Sequence, residues 1–242
     1  MNRLVLAVAC AATALALGAC NKGPTGSADP STPASPPATS PGGGSLGEAS
    51  EPPPPPTREP TASGLEYRVS YNWGVPSKQV VVDHPLTAPI APPPALPLPY
   101  LVAIYAADHP EGKPQYQRIS FYFRGAFPSY NFQYVREVLS EGPGTPIPLQ
   151  GNAFLRVGFV DAQQHDNAGR STVKASPRNP MGYKNLKSYG LAGDFEGHVT
   201  YGLGIQVAPN SDQVLNIRAG ELKNPDGSGG FFYVVHFDVQ TG

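Results

Sequence analysis

The sequence predicts an all-β protein whose folded part is a single β-sandwich domain. Pro and Gly supply 30 and 27 of the 242 residues, a density that interrupts helices and marks frequent turns. Short stretches alternate apolar and polar side chains, as half-buried strands do, and no longer stretch keeps the period of a helix. About 140 residues, numbers 100–242, suffice for one such domain with a core of its own.

Strand-like stretches follow one another through this region, separated by turns rich in Gly, Pro, Asn and Asp. The clearest is 118–124, where Ile119, Phe121 and Phe123 fall on one face. In chain order the predicted strands are 101–105, 118–124, 130–138, 153–160, 186–191, 198–207, 215–219 and 231–239.

Residues 63–99 precede this domain and are predicted to hold two short strands, 67–71 and 79–82. Trp73, the only Trp, lies between them. We expect it to fill the core or to anchor the strap, in preference to forming a platform for a ligand. The Pro-rich stretch 85–99 is expected to lie on the domain as an extended strap, or to link an N-terminal hairpin to it.

The first residues have the pattern of a bacterial lipoprotein signal peptide, predicted to span 1–19. An apolar run, 4–17, follows Arg3 and is too short to cross a hydrocarbon core. It closes at Leu17-Gly18-Ala19-Cys20, which resembles the lipobox. That resemblance implies diacylglycerol on the Cys20 thiol and cleavage before it. An ordinary secretory signal or an N-terminal anchor is the alternative.

Lipidation of Cys20 would leave no free thiol, because Cys10 lies within the predicted signal and the chain has two Cys. We therefore expect no disulfide and no thiolate site. Two or three acyl chains give stable attachment to a bilayer. The expected location is the extracytoplasmic face of the cell membrane.

Residues 20–62 are predicted to be a disordered tether. Residues 21–62 include 12 Pro, 6 Gly and 6 Ser but no aromatic residue, so the segment cannot bury enough apolar surface to offset its ordering entropy. At ~5.5 Å × √n, a random coil of this length averages about 35 Å.

Several motifs within 100–240 resemble the AMIN-like domain of bacterial lipoproteins. They are Arg118-Ile119-Ser120-Phe121-Tyr122-Phe123, 127–135, 151–157, 192–197 and the closing strand 232–239. The resemblance implies a β-sandwich, an exported lipoprotein and no enzymatic activity. AMIN domains proper are non-catalytic modules that hold wall amidases and secretin pores to the envelope by contacting peptidoglycan. We expect no catalytic or pore domain to accompany the module here.

Aromatic residues concentrate at 121–134, which holds seven of them. Sugar rings stack on exposed aromatic faces, so Tyr122, Tyr130 and Tyr134 are candidate glycan-binding residues. The alternative is that the phenylalanines are core and the tyrosines are ordinary strand residues with wet hydroxyls.

Other constellations are weaker. Asp194 and Glu196 fit a Gly-rich turn with solvated carboxylates better than a cation or glycosidase site. Asp-His-Pro occurs at His84 and at His109, where it favours turns, and no zinc-ligand spacing is present. The sequence has no Gly-x-Ser-x-Gly elbow and no phosphate-binding Gly loop.

The sequence thus predicts a membrane-anchored, non-enzymatic binding module that contacts a cell-wall glycan or an envelope protein, without cofactor or metal. A net charge of −1 lacks the basic excess that binds nucleic acid. The alternative is an envelope enzyme, such as a cell-wall hydrolase, whose site is assembled from dispersed residues.

Overall fold

The computed structural model describes residues 59–60, 65–87, 96–209, 211 and 213–241. All of them belong to one compact unit, Pro52–Gly242. The predicted signal peptide, Cys20, nearly all of the predicted tether and residues 88–95 of the predicted strap lie outside the described residues.

The described part of the chain contains eleven strands and no helix, which confirms the all-β prediction. No helix there is long and apolar enough to cross a membrane. In chain order the strands are β1 Glu59–Pro60, β2 Glu66–Gly74, β3 Val80–Val82, β4 Tyr100–His109, β5 Tyr116–Arg124, β6 Ser129–Val135, β7 Ala153–Val160, β8 Leu186–Phe195, β9 His198–Ile205, β10 Ile217–Pro225 and β11 Phe231–Gln240.

The strands form two antiparallel sheets that pack face to face as a sandwich. The six-stranded sheet has the order β1-β2-β10-β11-β5-β4, with the two-residue β1 at its border. The five-stranded sheet has the order β3-β6-β7-β9-β8. Every strand predicted from the sequence is present, although β10 starts and ends later than the predicted 215–219.

The N-terminal strands do not form a hairpin with each other. Strand β2 pairs with β10 in one sheet, whereas β3 pairs with β6 in the other. Tyr71 packs edge-on against Phe132, and Val80 and Val82 also pack against the core. Glu59 and Pro60, inside the predicted tether, pair with β2 instead. The packing of Tyr71, Val80 and Val82 against the core explains why β2 and β3 join the sandwich.

The core lies between the sheets and is rich in aromatic rings. Phe121, Phe132, Phe159 and Phe237 are all fully buried, and neighbouring rings meet at about 5–6 Å, mostly tilted or edge-on. Alternation along each strand sends these side chains inward and the residues between them outward.

The outer face of the five-stranded sheet is covered by the loop between β6 and β7. Gly202 has no side chain there, and a Cβ at this position would lie 2.7 Å from Cδ1 of Leu149. Val138 and Ile147 approach the same position. Glycine is required because the loop packs directly onto the backbone of β9.

Candidate binding surface

The outer face of the six-stranded sheet carries large aromatic side chains where a solvated sheet face usually carries small polar ones. We call it the aromatic face and define it by six residues: Tyr67, Trp73, Tyr105, Tyr116, Tyr122 and Phe232. All are at least partly exposed, and Tyr105 is 50% exposed. The surface therefore presents rings to solvent.

The rings lie in two groups at opposite ends of this face. At one end, Tyr122 meets Tyr105 edge-on at 5.0 Å and Phe232 edge-on at 5.8 Å. At the other end, Tyr116 lies 6.0 Å from Trp73, and His109 stacks on it at 4.5 Å. Such ring contacts hold the side chains in place.

An ion-pair cluster lies at the Trp73 end. Arg118 on β5 and Arg218 on β10 both stand directly opposite Asp238 on the central strand β11. Arg118 donates to Oδ1 from Nε at 2.6 Å and to Oδ2 from Nη2 at 3.0 Å. Arg218 donates to Oδ2 from Nε at 2.9 Å and from Nη2 at 2.7 Å.

The Asp238 carboxylate is fully buried beneath the two guanidiniums. Burial by itself raises the pKa of this carboxyl group, but the hydrogen bonds and positive charge of Arg118 and Arg218 outweigh it. The net result is a lowered pKa, so the cluster holds two cations and one anion at neutral pH.

The same guanidiniums also contact aromatic rings. Arg218 lies 4.6 Å from the centre of the Trp73 ring and 5.0 Å from that of Tyr116. Arg118 lies 5.2 Å from the Tyr116 ring. At the other end, Arg124 lies 4.4 Å from the Phe232 ring. These cation–π contacts hold the guanidiniums against the rings.

His236 lies at the middle of the face, under Tyr67, whose ring stacks on it at 5.6 Å. Its Nε2 is buried and has no hydrogen-bond partner in the described part of the chain. Burial, and then the nearby charge of Arg118, lower its pKa to about 3. His236 is therefore neutral at neutral pH and adds no charge to the surface.

A second buried carboxylate, Glu221, lies on the inner side of the same sheet. It accepts hydrogen bonds from Arg68 Nε at 3.1 Å and from the Tyr130 hydroxyl at 2.8 Å, and it lies 2.8 Å from His84 Nε2. Burial by itself raises the pKa of Glu221, but the hydrogen bonds with His84 and Arg68 lower it by a larger amount. The pKa of Glu221 is therefore lowered overall.

His84 also lines an open cavity of about 410 Å³ at the end of the sandwich. The cavity wall comprises His84, Pro85, Leu86, Thr87, Gly125, Ala126, Phe127 and Tyr233. The cavity thus combines the imidazole of His84, which is hydrogen-bonded to buried Glu221, with apolar side chains such as Leu86 and Phe127. Among the described residues, no group of three or more His, Cys, Asp or Glu side chains is placed to hold a metal ion.

The three predicted glycan-binding tyrosines do not share one surface. Tyr122 belongs to the aromatic face. Tyr130 is only 1% exposed; its hydroxyl donates to Glu221 Oε1 at 2.8 Å and lies 2.6 Å from the Ser70 hydroxyl oxygen. Tyr134 is half-buried against the core and donates to the carbonyl oxygen of Leu215 at 2.9 Å. Tyr130 thus fills the interior and Tyr134 packs against it, and glycan binding by these tyrosines stays a prediction.

In the structure, Asp194 and the histidines of the two Asp-His-Pro tripeptides have side-chain partners that the sequence did not predict. The Asp194 carboxylate is not simply solvated, because it lies 2.7 Å from Nδ1 of His165. Glu196 occupies a left-handed turn position, with φ of 49°. His84 bonds to Glu221, and His109 lies 2.9 Å from the Glu111 carboxylate, so both histidines have side-chain partners beyond the predicted turns.

Comparison with known families gives a match to the AMIN-like domain over residues 100–226, just over half of the chain. The chain belongs to the AMIN-like domain family. AMIN-like domains are generally binding or interaction modules, and this one fits a non-catalytic binding role in the cell envelope. Neither the curated proteins nor the solved structures that were searched gave a match.

Sequence reasoning missed most of the surface of this AMIN-like domain. Arg118 and Asp238 fall within the predicted strands 118–124 and 231–239, but their meeting depends on the register between β5 and β11. The available signal was alternation: Arg118, Ser120, Tyr122 and Arg124 occupy the positions between the inward-facing residues of β5. Three of these four outward positions, all but Ser120, carry large side chains.

Proposed function

We propose that this chain is a lipid-anchored, non-catalytic module on the extracytoplasmic face of the cell membrane, and that its aromatic face contacts cell-wall glycan. The observation that carries the proposal is the aromatic face itself. Two ring groups at opposite ends of one sheet surface offer separate stacking positions for sugar units of a polymer.

The arrangement supports binding through shape and stacking. The Tyr105, Tyr122 and Phe232 rings brace one another edge-on, so little side-chain freedom remains to be lost when a ligand binds. The chemistry of stacking asks for no general acid or base, which agrees with a module that holds its ligand without converting it.

We predict that alanine at both Tyr105 and Tyr122 weakens binding to purified cell-wall sacculi roughly tenfold, since each ring contributes about 0.5–1.5 kcal/mol beyond its buried area. The measurement is a sacculus co-sedimentation isotherm. The matched control is Phe195→Ala, which removes a ring that is 66% exposed on the other sheet and should leave binding unchanged. Equal binding by the wild type, the double variant and the control would refute the proposal.

The anchor has its own test. We expect native protein from the membrane fraction to begin at Cys20 and to carry diacylglycerol, as read by intact mass spectrometry. Cys20→Ser should release the protein into the soluble fraction, because no acyl chain can then be attached. A native product with a bare thiol, or one that retains residues 1–19, would contradict the anchor.

A cell-wall hydrolase is the second candidate, favoured by the cavity in which His84 is oriented by buried Glu221. A carboxylate that orients an imidazole is a recurrent feature of general-base sites. A zymogram with embedded sacculi separates the two candidates: binding without clearing supports the module, and clearing that His84→Ala abolishes supports the enzyme.

A further inference from the structure

We propose that the Arg118–Arg218 pair on the aromatic face binds a carboxylate of the wall ligand, so that the module recognises the acidic peptide branches of a glycopeptide and not only its sugar rings. This rests on the proposed function, since it names the chemistry taken by one end of the same surface. Three features of that end support it: the unused hydrogen-bond donors of the two guanidiniums, their net charge, and the distance from Arg118 to Tyr122.

The two guanidiniums retain unused hydrogen-bond donors. Each side chain has five N–H groups, and both Arg118 and Arg218 contact Asp238 only through Nε and Nη2. Neither Nη1 has a hydrogen-bond partner among the described residues. Both side chains are about one-fifth exposed, so the remaining N–H groups are available to water or to a ligand.

The charge at this site also favours an anion. Asp238 neutralises one of the two cations, and its oxygen atoms already accept four hydrogen bonds from them. One positive charge is left over. A ligand carboxylate can accept from the free sides of both guanidiniums, and charge-assisted bonds of this kind are the strong ones.

The site is held ready before a ligand arrives. Asp238 fixes both guanidiniums from below, and the Trp73 and Tyr116 rings contact Arg218 at 4.6 and 5.0 Å. A guanidinium against aromatic rings is less hydrated than a free one, which strengthens its bond to an anion. The ordering cost of two long side chains is therefore met within the fold and not on binding.

The distance between Tyr122 and Arg118 suits an extended branch of the ligand. Tyr122 and Arg118 are four residues apart on β5, which is about 13 Å at ~3.3 Å per residue. A ligand that stacks a sugar on Tyr122 reaches Arg118 through an extended branch of about four amino-acid residues. We therefore assign the carboxylate to a peptide branch.

The test compares sacculi before and after carbodiimide amidation, which neutralises their carboxylates and leaves the glycan chains intact. We expect wild-type binding to fall at least fivefold on amidation and to weaken with added salt. Equal binding to both preparations would overturn this inference while leaving the proposed function standing. No binding to either preparation would instead defeat the proposed function.

A matched pair of variants gives a second readout. Arg218→Gln removes one guanidinium but leaves Arg118 paired with Asp238, so we expect the fold to persist and the discrimination between native and amidated sacculi to shrink. Arg170→Gln makes the same charge change at a pair with Asp166 in the loop between β7 and β8 and should retain full discrimination. Unaltered discrimination in a folded Arg218→Gln protein would overturn the inference.

The source of the carboxylate is tested with sacculi stripped of their peptides by an amidase. The proposal expects stripping to lower wild-type affinity as much as amidation does. If stripped glycan binds as tightly as intact sacculi, the peptide branch is not the group that Arg118 and Arg218 bind.

Discussion

Asp238→Ala is expected to destabilise the fold by about 3 kcal/mol, the lower part of the range for breaking a buried ion pair. The loss arises because two guanidiniums, held against aromatic rings and only about one-fifth exposed, would remain without their counter-ion. Chemical denaturation followed by tryptophan fluorescence measures it, since Trp73 contacts the cluster. Arg170→Ala, which breaks a pair with Asp166 from its 80% exposed side, should leave the midpoint nearly unchanged.

The same carboxylate makes stability depend on pH in a definite direction. Its pKa is lowered in the folded state from an unfolded value of 3.8, so its contribution is fully present above about pH 5 and is lost as the pH falls through the folded pKa. We expect the wild type to lose stability below pH 4 and Asp238→Ala to lose less over the same range. Parallel pH profiles for the two proteins would show that the pair does not act this way.

Phe237→Ala is expected to cost about 3–5 kcal/mol of unfolding free energy. The ring is fully buried at the centre of the sandwich and meets Phe132 at 5.1 Å and Tyr130 at 6.1 Å, both nearly edge-on. Its removal leaves a cavity that neighbours on both sheets cannot fill without moving their strands. Urea unfolding, with the midpoint and slope fitted separately, gives the value.

The control for this change is again Phe195→Ala, because it deletes the same side chain at a position 66% exposed. That variant should differ from the wild type by less than about 0.5 kcal/mol. Similar losses in the two variants would mean that Phe237 does not pack as described.

The strands could be predicted because alternation is a local property of the chain. The alternation of Ile119, Phe121 and Phe123 with polar residues predicts a half-buried strand even when the neighbouring strands are unknown. Which strands pair is not local: β2 and β3 lie five residues apart in the chain but join different sheets. Their destinations depend on contacts with β10 and β6, which the sequence does not encode as a nearby pattern.

The inward positions of Tyr130 and Tyr134 have a physical origin. Residues two apart on a strand share a face, so Tyr130, Phe132 and Tyr134 must point the same way. Because Phe132 lies in the core, strand geometry directs its two tyrosine neighbours toward the interior as well. Burial of Tyr130 leaves no polar atom of its side chain unpaired, because its hydroxyl is hydrogen-bonded to Glu221 and Ser70.

The candidate surface was harder to find, since its charged members come from distant parts of the chain. Arg118 and Asp238 are 120 residues apart, and only the antiparallel register of β5 with β11 brings them together. A single sequence states which residues face outward from each strand but not which of them become neighbours.

The central position of β11 affects how this protein should be produced. The family match ends at residue 226, yet Phe231–Gln240 lies between β10 and β5 and supplies both Phe237 and Asp238. A fragment trimmed to 100–226 would also lack Tyr67 and Trp73. An expression fragment meant to retain ligand binding should therefore start no later than Glu59 and extend through Gln240.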